Sequence, residues 1–471
     1  MKTSQNKYGA LIKDTLLFAL STFVPKAISF FLVPIYTNCL TTAEFGLVDV
    51  IMTTVSLLVP ILTLGIDNAV LRFTIESKAD KKPYQIAFKL ILVGVCVLLI
   101  CLCANMVCHV IELDAMYQGY FLLNYLLTAL YGVNVAYLRA TEKVALLSTI
   151  SIVNTLVTVV SNIVTLVIFK WGVFGYLISS ILGFLVVNVI IFYKINVKDL
   201  LSGLFTKNSQ FRNEMIKYSS PLVASGIAWW ANSASDRYFV TYLCGVDANG
   251  IYSVAYKIPT ILQMIQSVFS QAWLLSIYRE YNTAEGKNFV SKIYDLYNGG
   301  MTVACAFLIL LTIPLAKFLY AKDFYAAWEY VPALLISVVF IANAGFFESM
   351  LTLYKKSNIV AVTTVIGAIC NIILNYVLIS NIGVQGAAIA TTIGYFIMWI
   401  LRVPFVHGLY PFKVNWFKQG ALFTIIIVEA IIMITLQNYL ICAVLCGITV
   451  LLNINNIKYI IDSLLKKILK K

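Results

Sequence analysis

Lys26, Asp236, Arg237 and Lys257 stand inside long apolar stretches of the sequence, as do the single carboxylates Glu348 and Glu429. Asp49 lies just inside another such stretch. An ionisable group among apolar neighbours is expensive, so it marks a functional site by default. Arg grips phosphate oxygens through a bidentate fork, and Lys meets them as a point charge. Three bases therefore suit a phosphate or pyrophosphate group, with Asp236 partnering one of them and holding its geometry. This makes Lys26, Arg237, Lys257 and Asp236 the candidate substrate-binding residues. The competing reading is snorkelling, or a buried Asp–Arg pair with no ligand. Glu348, Glu429 and Asp49 are candidates for binding a coupling proton or sodium ion, against the plainer reading of hydrogen bonds between helices. Trp229, Trp230 and Trp273 either stack on sugars or serve in packing and interface anchoring.

The elements that carry these groups are membrane spans. The 471 residues are 61% hydrophobic and 12% charged, against roughly 45–50% and ~25% in soluble domains. A soluble multidomain protein, a disordered chain and a nucleic-acid-binding chain are excluded. A span needs about 20 apolar residues. The hydropathy pattern predicts fourteen helices, at 14–36, 45–65, 86–108, 119–138, 144–169, 172–193, 218–243, 250–278, 293–319, 328–354, 358–379, 384–405, 420–437 and 439–457. The fold class is all-α integral membrane. With a cytoplasmic N-terminus, 28 of the 34 Lys and Arg residues fall in cytoplasmic segments, Arg402 among them, and only Lys170, Lys317 and Lys322 in outer loops. That asymmetry places both termini in the cytoplasm and explains the net charge of +13. Lys26 is then 12 residues into its span, about 18 Å deep, and Arg237 and Lys257 sit about 10 Å below the outer surface. The basic tail 458–471 reads as a segment lying on anionic lipid.

The chain is duplicated. Residues 172–183 read GVFGYLISSILG and residues 383–394 read GVQGAAIATTIG, each opening the last helix of a six-helix set. The preceding helices match at Asn162 and Asn371. The expected organisation is an N-terminal six-helix lobe (1–195), a cytoplasmic connector (196–217), a C-terminal six-helix lobe (218–406), an extra helix pair (407–457) and the tail. Two pseudo-symmetric halves with a site near the midplane suit an alternating-access transporter, and prolines such as Pro25, Pro60, Pro221 and Pro259 allow kinks.

Other chemistry is missing. There is no G-x-x-x-x-G-K-[ST] and no H-E-x-x-H, and the two histidines, His109 and His407, fall at span ends on opposite sides. No metal site and no cofactor are expected. Ten cysteines, mostly within apolar runs, act as small hydrophobes. No outer loop is long enough to carry the acidic or Arg groups of a membrane glycosyltransferase, so the reading is not an enzyme.

Residues 29–74, SFFLVPIYTNCLTTAEFGLVDVIMTTVSLLVPILTLGIDNAVLRFT, together with the GVxG openings at 172 and 383, resemble the polysaccharide (O-antigen and capsule) flippases of the multidrug/oligosaccharidyl-lipid/polysaccharide exporter superfamily. The resemblance implies a two-lobed, V-shaped fold in the bacterial cytoplasmic membrane. It implies a flippase that moves undecaprenyl-pyrophosphate-linked oligosaccharide from the cytoplasmic to the outer leaflet for surface polysaccharide biosynthesis. Its partners would be that lipid-linked oligosaccharide, membrane lipid, and a glycan polymerase and glycosyltransferases. Related lipid II flippases carry bases on helices one, two, seven and eight and use two extra C-terminal helices as a lipid-tail groove. Here helix two has only Arg72, at its cytoplasmic end. The drug-antiporter branch depends on a buried carboxylate, so a proton- or sodium-coupled multidrug antiporter is the alternative, with a non-transporting scaffold for glycan enzymes third.

Overall fold

A computed structural model describes residues 23–77, 80–108, 114–196, 198, 202, 209–280 and 286–459. The polar N-terminal stretch, His109, most of the connector and the basic tail from residue 460 lie outside the described residues. The chain is an all-α membrane protein. Among the described residues, ten helices are long and apolar enough to cross a bilayer, and Phe23–Cys39 and Tyr439–Leu452 are shorter apolar helices. The helices gather into two compact units, 1–230 and 231–471.

The first unit holds α1 (Phe23–Cys39), α2 (Thr42–Leu62), α3 (Ile66–Glu76), α4 (Lys82–Cys108), α5 (Ala115–Ala140), α6 (Val144–Asn162) and α7 (Gly172–Lys194), with a π-helical turn over Ile163–Ile168. The first part of α8 (Ser209–Cys244) also belongs to it. Thr41 starts α2 with a capping box: its hydroxyl accepts from Glu44 N at 3.2 Å, and its own N–H donates to Glu44 Oε2 at 2.8 Å. The core between α3, α4, α5, α6 and α7 centres on buried Tyr84, Tyr125, Leu138 and Val187. A chain of amides crosses it. Tyr84 Oη donates to Asn134 Oδ1 at 2.6 Å, Asn134 donates to Asn188 Oδ1 at 2.8 Å, and Asn188 donates to Leu127 O at 2.9 Å.

The second unit holds the rest of α8, then α9 (Val246–Ala255), α10 (Pro259–Glu280), α11 (Gly286–Leu310), α12 (Thr312–Leu319), α13 (Val331–Leu353), α14 (Ser357–Ile382), α15 (Val384–Leu409), α16 (Trp416–Leu436) and α17 (Tyr439–Leu452). Helix α13 is its axis: most of its side chains are buried, and α10, α11, α15 and α16 all pack on it. Large apolar side chains on α14, among them Ile369, Ile373 and Val377, are exposed, as suits a face turned to acyl chains.

The duplicated glycines have backbone reasons. Gly172 and Gly383 open α7 and α15 at φ +55° and +65°, a left-handed region that glycine enters without penalty. The matched Asn162 and Asn371 are both buried.

Two predicted spans are interrupted. The helix expected over 250–278 is broken at Tyr256–Ile258, because Pro259 lacks an N–H and disfavours a helical residue before it. The helix expected over 293–319 divides into α11 and α12. The second predicted span ends where Leu64 and Gly65 turn left-handed, at φ 54° and 59°, and α3 resumes directly.

Candidate functional site

Lys26 lies on α1 in the first unit, half-buried, and no described residue pairs with it. The other candidates belong to the second unit. Asp236 and Arg237 are on α8, and Lys257 sits in the break between α9 and α10.

Asp236 is 1% exposed and is held from three helices. Tyr252 and Tyr256 are four residues apart and share one face of the chain entering the break. Both hydroxyls donate to Asp236 Oδ2, each at 2.6 Å. Thr391 of α15 donates to the same oxygen at 3.4 Å, and Oδ1 accepts the backbone N–H of Arg237 at 3.0 Å. A buried carboxylate is tolerable only with such partners. Around this centre Asn371 donates to Thr391 Oγ1 at 3.5 Å and accepts from Asn375 at 3.0 Å, joining α14 to α15.

The half-buried Arg237 guanidinium lies 5.0 Å from the Tyr256 ring centroid and donates to Ser233 O at 3.2 Å. Tyr256 thus touches acid and base at once, its hydroxyl on Asp236 and its ring beneath Arg237. Lys257 is the next residue, half-buried. A break in a membrane helix leaves backbone groups to be satisfied, and such breaks are tolerated where they face protein or a watered cavity.

The carboxylates differ in setting. Asp49 is half-buried in α2, seven residues after its start. Glu348 on α13 accepts from Arg402 at 3.0 Å with 49% of its side chain accessible. Glu429 on α16 is fully buried, and neither carboxylate oxygen has a hydrogen-bond partner among the described residues. Of the tryptophans, Trp273 stacks on Phe346 at 4.2 Å in the core, Trp230 donates to Thr53 O and Ser56 Oγ at 3.3 and 3.2 Å, and Trp229 is exposed.

Arg402 corrects the sequence reading. The charge count puts it in a cytoplasmic segment, but the structure buries it completely within α15. Its guanidinium donates to Thr363 Oγ1 at 3.1 Å, Thr364 Oγ1 at 2.9 Å, Ala344 O at 2.9 Å and Glu348 Oε2 at 3.0 Å. The signal was available: the span predicted at 384–405 already contains Arg402, and the helix runs on to Leu409. Tyr252 and Tyr256 were also missed, because tyrosine in apolar sequence reads as packing.

A family model described as "Polysaccharide biosynthesis protein" matches residues 11–274, more than half of the chain. The chain belongs to this polysaccharide biosynthesis protein family. Within reach of that match lie Lys26, Asp236, Arg237 and Lys257. The "Probable low-salt glycan biosynthesis flippase Agl15" of Haloferax volcanii is 22% identical over 271 residues, 53% of this chain and 52% of that protein. The chain thus spans about half the length of that relative. The "Uncharacterized membrane protein MJ1068" of Methanocaldococcus jannaschii is 25% identical over 427 residues, 83% and 82% of the two chains. Among solved structures, the lipid II flippase MurJ in an inward closed conformation superposes with a TM-score of 0.70 at 13% identity, covering 96% of this chain and 100% of that one. An inward-facing multidrug resistance MATE family transporter of the MOP superfamily gives 0.65 at 12% identity, covering 86% and 98%. At these identities the structures share the fold.

Proposed function

We propose that this polysaccharide biosynthesis family member is a flippase for a lipid-linked oligosaccharide. Its substrate is an undecaprenyl-pyrophosphate-linked glycan, moved from the cytoplasmic to the outer leaflet of the bacterial cytoplasmic membrane by alternating access. Lys26, Arg237 and Lys257 act on the pyrophosphate head, and Asp236 with its tyrosines holds Arg237 in place. The observation that carries this reading is Lys26, a half-buried cation on an apolar helix with no ion-pair partner among the described residues. Such a group calls for an anionic ligand. The family match and the flippase named among the relatives support the glycan chemistry.

The test replaces Lys26, Arg237 and Lys257 singly by Ala and measures both surface polysaccharide and the lipid-linked glycan left in the inner leaflet. Export should fall about tenfold or more for each variant as the precursor accumulates, since each charged contact to phosphate is worth roughly 1.5–3 kcal/mol. Unchanged export in all three sinks the assignment.

One observation favours the antiporter alternative. Glu429 is a fully buried carboxylate with both oxygens unpartnered, a setting that suits uptake of a proton. The proton- or sodium-coupled reading requires drug sensitivity in a strain lacking the protein, with rescue lost in Glu429→Gln.

A further inference from the structure

The first unit contains a cleft to which the flippase reading assigns no task. It lies between α3, α5 and α6 and has a volume of about 360 Å³, at the lower end of the roughly 300–1,000 Å³ of small-molecule pockets. The left-handed turn at Leu64 and Gly65 builds one wall. It restarts the helix as α3, which puts Asp67 in the first turn with Asn68 beside it. Asn68 Nδ2 donates to Asp67 Oδ1 at 3.3 Å. Helix α5 contributes Tyr131, Gly132 and Arg139, and α6 contributes Ser151. The polar side chains are accessible: Asn68 and Arg139 are exposed, Asp67 and Ser151 half-buried. Ser151 donates to Leu147 O at 3.1 Å, and its oxygen can still accept. The floor is open at Gly132, where a Cβ would meet no atom of the described residues within 4 Å.

The chemistry of the walls selects the guest. Burial pushes the Asp67 carboxyl up from its usual range, and the nearby Arg139 charge draws it part of the way back. A carboxylate and a guanidinium close together nearly cancel, so the cleft favours neither an anion nor a cation. An acyl chain would strand the carboxylate, guanidinium, amide and hydroxyl without partners. Apolar side chains from all three helices complete the lining, and Tyr131 is braced by Phe184, their ring centroids 5.4 Å apart. A sugar ring matches this set. Each of its hydroxyls both donates and accepts, and its C–H faces suit an apolar wall. In the orientation that the charge count implies, Arg139 stands at the cytoplasmic end of α5 and Tyr131 lies about 12 Å deeper. That is the side from which a glycan is loaded.

We infer that this cleft seats one neutral sugar ring of the transported glycan. Asp67 accepts from two adjacent hydroxyls, Arg139 and Asn68 donate to hydroxyl oxygens, and a C–H face of the ring lies along Tyr131. That the sugar belongs to the transported glycan rests on the flippase reading; that the cleft binds a sugar does not.

The test places the full-length protein in nanodiscs and uses the methyl glycosides of glucose, galactose, mannose, rhamnose and N-acetylglucosamine as probes. Saturation-transfer NMR reads contact between protein and sugar. At least one glycoside should show transfer, and Gly132→Leu should abolish it by filling the floor. Asp67→Asn should weaken the affinity about tenfold, the worth of one hydrogen bond to a charged group, and it serves as the test by itself should Gly132→Leu fail to fold. No transfer to any glycoside, or transfer that survives the substitutions unchanged, overturns the proposal. So does release of co-purified phospholipid by Gly132→Leu with sugar contact unaltered, which would assign the cleft to a lipid. Surface polysaccharide in cells separates the two readings. Export reduced by Gly132→Leu but unchanged in Lys26→Ala keeps the cleft and removes the head-group site. Sugar contact in the parent with export unchanged in Gly132→Leu overturns the assignment to the transported glycan.

Discussion

Arg402→Lys is the sharpest test of how the second unit is held together. Arginine at this position places four donors on acceptors from two other helices, Ala344 and Glu348 on α13 and Thr363 and Thr364 on α14. Lysine keeps the charge but supplies one compact head, which reaches Glu348 or the threonines and not all of them. Three hydrogen bonds are then lost at about 1 kcal/mol each, or about 3 kcal/mol in total. The Glu348 charge is the lesser part, because its side chain is 49% accessible and water screens it. Glu348→Gln, whose carbonyl still accepts, should cost about 1 kcal/mol. The assay is thermal unfolding in detergent followed by a thiol-reactive dye, since Cys305, Cys442 and Cys446 are buried free thiols that report opening of this unit. At about 2–4 °C per kcal/mol for a unit of this size, Arg402→Lys should unfold about 6–12 °C early and Glu348→Gln about 2–4 °C early. An Arg402→Lys protein as stable as the parent, or a Glu348→Gln protein that is the weaker of the two, would refute the four-donor argument.

Three further outcomes follow from the geometry. Gly386→Ala should prevent folding, because a Cβ there would meet Leu378 O at 2.5 Å and Ile379 N at 2.6 Å and a helix backbone cannot give way, whereas Gly420→Ala opens into empty space and should leave yield and melting temperature unchanged. Tyr256→Phe removes a donor from buried Asp236 while keeping the ring beneath Arg237, and should cost about 1–3 kcal/mol in the thiol-dye assay; no change would mean that Asp236 does not depend on that hydroxyl. Glu429→Leu should raise the melting temperature, since it replaces an unpartnered buried carboxylate by an apolar side chain, and a simultaneous loss of transport would identify the acid as functional, in the usual trade of stability against activity.

Most of the helices are legible because a bilayer demands long apolar segments, and Gly172 and Gly383 are legible because they open the two matching stretches of the internal repeat. The break at Tyr256–Ile258 was signalled by Pro259, but proline alone does not tell a kink from a full interruption. Helices α2, α8 and α15 all contain a proline and continue through it. The site was less readable. Hydropathy locates a charge along a helix and says nothing about which way it faces, so Glu348 stood as a lone carboxylate while its partner Arg402 was counted in a loop. The tyrosines on Asp236 come from α9 and the break that follows it, and pairing between elements leaves no pattern in one chain.

Arg402 also bears on the order in which this protein is built. Its acceptors belong to α13 and α14, both of which leave the ribosome before α15. When the arginine arrives at the insertion machinery, its docking groups have already been delivered, and the guanidinium never has to wait in lipid unaccompanied. A nascent chain arrested before α13 could offer no such welcome to a transplanted α15. The earlier pair, α13 and α14, can thus serve as the receiver for α15 before α16 and α17 follow.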